Sequence, residues 1–130
     1  MMDTQPSKAN RWIGLWLMGV ATIHCAFGVI MFGEVLAAIV RRGVFNTVGS
    51  DPMTGAVVWF MLFGAALFIC GQTILQLEQA GQPVRAAVGW SLLLLVVLGV
   101  VLMPVSGFWL ALPPALALLR RAKLGVTPAI

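Results

Sequence analysis

Three residues of this chain could do chemistry from inside otherwise apolar sequence: His24, Glu34 and Glu78. His24 is the only histidine. A neutral imidazole in an apolar medium needs partners for its ring nitrogens, and charging it there is costly. Such a group suits a proton relay, a contact to a quinone or lipid, or axial ligation of haem. Haem would need a second ligand such as Met18, Met61 or Met103, and no pattern singles one out. The structural alternative is a histidine hydrogen-bonded across a helix bundle to a carbonyl or hydroxyl.

Glu34 follows His24 by ten residues. On one helix that places it ~80° around the axis and ~15 Å further along, so the two do not form a direct pair. Glu34 is either a cation or proton site open to one side, or a carboxylate neutralised by Arg41 or Arg42. Glu78 ends an apolar run beside Gln72, Gln76 and Gln79. A carboxylate at a helix C-terminus opposes the dipole and calls for a partner. Arg85, across a short loop, is the expected one. Cys25 and Cys70 fall inside apolar runs and read as packing residues, without a CxxC spacing. One histidine does not build a zinc site by itself. Neither a metal nor a cofactor is implied.

The elements that must position these residues follow from composition. Of 130 residues, 61% are hydrophobic and 9% charged, against about a quarter charged in an ordinary soluble domain. The mean hydropathy is +1.02. Eight Lys/Arg and four Asp/Glu do not cover the surface of a soluble domain this short. A soluble globule, a disordered tail and a secreted disulfide scaffold are excluded. The expected class is all-α: a single integral membrane domain over 1–130, a four-helix transmembrane bundle running up-down-up-down.

The helices are expected at about 12–40, 52–79, 84–103 and 105–123. The first is ~43 Å long, more than a ~30 Å hydrocarbon core, so it must tilt or extend into the headgroups. Asp51 before Pro52 is a strong helix start. Gly81 and Pro83 end the second helix, and Pro104 and Gly107 mark a tight turn before the fourth. The polar N-terminus lacks a small-residue cleavage site after it and is expected to be retained.

Pro113 and Pro114 interrupt the fourth helix. Each lacks an N–H and clashes with the carbonyl four residues earlier, those of Trp109 and Leu110. Freed carbonyls are tolerated in hydrocarbon only where they face protein or a wet cavity. The last helix is therefore expected to kink or break at the Pro-Pro pair. A ligand site, if one exists, should lie between that break and His24. The candidate ligand-binding residues are His24, Glu34, Trp109, Leu110 and Pro113.

The basic residues sit at the ends of apolar runs without aromatic interleaving, which argues for interfacial anchors and against nucleic acid. Four spans put Lys8, Arg11, Arg85, Arg120, Arg121 and Lys123 on one side, with Arg41 and Arg42 on the other. Six against two favours both termini in the cytoplasm.

His24 with Gly28, Glu78 with Gly81 and Pro83, Gly89 with Trp90, and the run MPVSGFWLALP carry a resemblance over most of the chain. The sequence resembles a family of small bacterial four-helix integral membrane proteins of unknown function. The resemblance implies a fold and a location and brings no activity. The chain also has the length of small multidrug resistance transporters. Unlike them it has a strong charge bias, no tyrosine, and a glutamate late in its first helix. The first expectation is a non-enzymatic ligand-binding or accessory subunit. Its partners would be the lipid bilayer and a small apolar ligand, with a second copy or another membrane protein. The alternatives are a proton-coupled small-molecule transporter using His24 and Glu34, or a redox component that contacts quinone or haem.

Overall fold

The computed structural model describes residues 11–125. Lys8, counted above for orientation, lies outside them. The described chain is all-α: α1 (Trp12–Arg41), α2 (Pro52–Gln79), α3 (Ala86–Leu102), a 3₁₀ turn (Gly107–Ala111) and α4 (Leu112–Leu124). Of these, α1 and α2 are long and apolar enough to cross a membrane, and α3 is a shorter apolar helix.

Helices α1 and α2 pair along a stripe that repeats every seven residues and is mostly glycine and alanine. Gly14, Ala21 and Gly28 are buried on α1; Val57, Gly64, Gly71 and Glu78 are buried on α2. A strict seven-residue repeat keeps one seam facing the partner helix. The contacts are backbone-close. A Cβ at Gly14 would lie 2.5 Å from the Leu75 nitrogen, and one at Gly71 would lie 2.9 Å from the Met18 nitrogen. A Cβ at Gly64 would strike the Cys25 thiol, and one at Gly28 would meet Met61 and Phe60. Small residues let two helices approach this closely, which raises van der Waals contact where no hydrophobic effect operates.

Helix α1 is not straight. Phe32 has φ −117° and ψ 20°, outside the helical region. The helix up to that point, residues 12–31, rises ~30 Å, one hydrocarbon thickness. A kink at Phe32 thus divides α1. Asp51 caps α2 as expected: its carboxylate accepts from the Thr54 N–H at 2.9 Å and from the Thr54 hydroxyl. These two bonds hold its carboxyl below the usual carboxylate range.

The second hairpin is α3 with α4. Gly89 lies against Leu119, and Gly99 lies under the Phe108 ring. The two hairpins meet in one core of Ile13 and Leu17 from α1, Ile74 from α2, Leu92 and Val96 from α3, and Ala111, Ala115 and Leu118. Outward-facing side chains remain apolar: Ile30 is 79% exposed, Trp59 73% and Leu94 60%.

The fourth run differs from a single helix over 105–123. It breaks at Ala111–Leu112, and both prolines fall in the first turn of α4. N–H groups of a first turn have no intrahelical acceptor, so proline there removes no helical bond. The Trp109 carbonyl receives the Leu112 N–H across the 3₁₀ turn. The Leu110 carbonyl receives the indole N–H of Trp16 from α1 at 2.7 Å. Trp109 in turn donates its indole N–H to the Pro104 carbonyl at 2.9 Å and closes the preceding turn.

Candidate functional site

His24 stands on the α1–α2 seam because position 24 lies three residues after Ala21 and four before Gly28, on the same helical face. Its Nε2 is 2.9 Å from the Phe60 carbonyl. A carbonyl only accepts, so Nε2 carries the proton and donates. The imidazole stacks on Phe60, with ring centroids 3.9 Å apart at 19°. Phe63 meets it edge-on at 5.5 Å. Gly64 makes room: a Cβ there would be 2.9 Å from the imidazole Cδ2. The histidine is half-buried and clasped by α2.

Phe63 is also 6.4 Å from Phe108 on the 3₁₀ turn. One ring therefore separates His24 from the break before α4. The other expected site residues are not gathered there. Glu34 is exposed and lies beyond the kink at Phe32. It makes no ion pair with Arg41 or Arg42 among the described residues. The Leu110 carbonyl is turned to Trp16 and not to His24. Trp109 and Pro113 are exposed.

Beside His24, the small residues of the seam leave a notch of about 420 Å³. Ala21, Thr22 and Cys25 of α1 line one wall, and Gly64, Ala65, Phe68 and Ile69 of α2 the other. The Thr22 hydroxyl donates back to the Met18 carbonyl at 2.8 Å, so it is spent within its own helix. The wall is left almost wholly apolar. Among the described residues, no cluster of three His, Cys, Asp or Glu could hold a metal ion.

Glu78 has a different partner from the one its position in the chain suggests. Its side chain is 2% exposed and ion-paired at 2.6 Å with Arg121 of α4, not with Arg85. It also accepts from the backbone N–H of Gly14 at 3.0 Å and of Ile13 at 3.4 Å. Helix α1 has no side-chain cap of its own at Arg11, so Glu78 caps it from another helix. The dipole of α1 favours the carboxylate that the dipole of α2 disfavours. One carboxylate thus joins α1, α2 and α4. The sequence signal for this was the seven-residue spacing of Val57, Gly64, Gly71 and Glu78, which places Glu78 on the packed face.

Geometry of this kind defines a class: a helical protein with an apolar exterior and helices tied by a buried polar clamp at Glu78. A family model described as "Family of unknown function (DUF6463)" matches residues 8–125, and the chain belongs to that family. Comparison with curated proteins and with solved structures gives no match.

Proposed function

We propose that this chain is a four-span protein of the bacterial inner membrane, with both termini in the cytoplasm, serving as a non-enzymatic accessory subunit that binds a small apolar ligand. The observation that carries the proposal is the notch beside His24. Its volume lies within the range of small-molecule sites. Its walls are apolar, its one hydroxyl is already bonded, and it opens on the outer face of the α1–α2 pair. A hydrocarbon chain or ring fits such a wall, and a charged solute does not. The exposed apolar side chains of α1, α2 and α3 support the membrane setting.

Proton-coupled transport has less support. It would use His24 and Glu34 as titrating groups, yet Nε2 is committed to the Phe60 carbonyl and Glu34 stands beyond the kink. The test is native mass spectrometry of protein extracted from membranes in mild detergent. Wild type should carry an apolar adduct, and Ala65→Trp, which fills the notch, should lose it without a change in melting midpoint. Identical adducts on both proteins, or none on either, contradict the ligand site. In proteoliposomes the protein should give no proton flux above empty vesicles. A flux abolished by His24→Gln would replace the accessory role with transport.

A further inference from the structure

A second cleft, of about 630 Å³, opens at the end of the molecule where α2 stops and α3 begins. It differs in character from the notch. Its lining includes the basic side chains of Arg85 and Arg121 and the apolar side chains of Pro83, Val84 and Leu124. Glu78 borders it and is neutralised by Arg121 at 2.6 Å. Arg85 forms no ion pair among the described residues, so the cleft keeps a net positive charge. Arg85 is also the N-cap residue of α3, and no side chain caps that helix. The positive end of the α3 dipole and the Arg85 guanidinium therefore act together at one wall. The remaining walls are apolar and continue onto the exposed surface of α4 at Leu124.

A mainly apolar cleft with the Arg85 guanidinium at its lining, at the ends of membrane helices, has the amphipathic pattern of a phospholipid. We propose that it binds the phosphate of an anionic phospholipid, with the guanidinium of Arg85 on the phosphate and the acyl chains over Val84 and Leu124. Basic pockets between transmembrane helices on the cytoplasmic side take such headgroups. The proposal rests on the membrane setting put forward above and is independent of the notch.

The experiment is thermal unfolding of the full chain in detergent micelles with graded phosphatidylglycerol, phosphatidylcholine or inorganic phosphate. Phosphatidylglycerol should raise the midpoint saturably, and the other two should not. Arg85→Gln should weaken the apparent affinity for phosphatidylglycerol by about tenfold, the scale of one charge-assisted hydrogen bond. Arg120→Gln, which alters an exposed arginine outside the cleft, should leave it unchanged. An equal response to phosphatidylcholine, or equal losses in both variants, overturns the site. An equal response to inorganic phosphate assigns the cleft to a free anion and overturns the lipid. Alkaline carbonate extraction tests the setting separately. A chain that leaves the membrane pellet overturns both proposals. A chain that stays but ignores phosphatidylglycerol overturns this one alone.

Discussion

Glu78 is the residue on which the helices converge, and its removal separates two effects. Glu78→Ala leaves the Gly14 N–H without its carboxylate cap and removes the Arg121–Glu78 ion pair. A broken buried pair costs roughly 3 kcal/mol. Arg121 is 30% exposed and can turn to water, so Glu78→Gln, which still accepts from Gly14, should cost about half as much. Arg121→Gln should cost more than Glu78→Gln because it strands a charge in a buried position. The double variant should cost less than the sum of the two, by unfolding in mixed micelles. Additive losses would mean that the pair is not coupled. The Arg121 partnership was hidden in the sequence because nearness along the chain favoured Arg85, seven residues away, over a residue forty-three away. Burial decides it: Arg85 is exposed at a helix cap, whereas Arg121 lies over the α1–α2 end.

Trp16 offers a second test at the same scale. Trp16→Phe removes the donor to the Leu110 carbonyl, which Pro114 does not supply. The bond is exposed, so its loss should cost about 1 kcal/mol, the net worth of an ordinary hydrogen bond. Pro114→Ala restores a backbone N–H four residues from that carbonyl. Combined with Trp16→Phe, it should recover part of the loss. A double variant no more stable than Trp16→Phe alone would show that the indole acts by packing and not by its hydrogen bond. The freed carbonyls were legible from the Pro-Pro pair. Their acceptance by a tryptophan ninety-four residues away was not.

At the scale of elements, the α1–α2 pair depends on contact without side chains. Gly14→Ala puts a methyl 2.5 Å from Leu75 backbone, which can yield only by parting the helices. It should destabilise strongly and lengthen the Gly14–Glu78 bond. Gly19 faces open space, so Gly19→Ala should be neutral or stabilise by about 0.5–1 kcal/mol through helix propensity. Equal effects at the two positions would refute the seam. Small residues are scattered through both helices in the sequence, and burial alone shows which of them share the seven-residue seam. The start of α2 was fully legible, since Asp51–Pro52 is a local signal. Its carboxyl titrates below the ordinary aspartate value in the folded chain. The cap is therefore present above about pH 3.9 and is lost as pH falls through the lowered folded value. Asp51→Ala should lower the melting midpoint at pH 7, and the gap from wild type should close in strong acid. A gap unchanged at pH 2 would contradict the cap.

At the scale of the whole molecule, the all-α class and four helices with their turns were readable from apolar runs and prolines. The proposed ligand site was less readable. Its candidate residues lie along one helix and a break, while the notch is made by residues notable only for being small. Whether the second hairpin crosses the bilayer is the point on which the four-span account stands. Helix α3 has 17 residues, and the 3₁₀ turn and α4 together have 18, barely a ~30 Å crossing each. Val105, at the tip between α3 and the 3₁₀ turn, is fully exposed. In a background with Cys25→Ser and Cys70→Ser, Val105→Cys should react with a membrane-impermeant maleimide added outside intact spheroplasts. A cysteine placed at Gln82, in the loop before α3, should react only after permeabilisation. If Val105→Cys is labelled only from the cytoplasmic side, the hairpin re-enters without crossing and the four-span account is wrong.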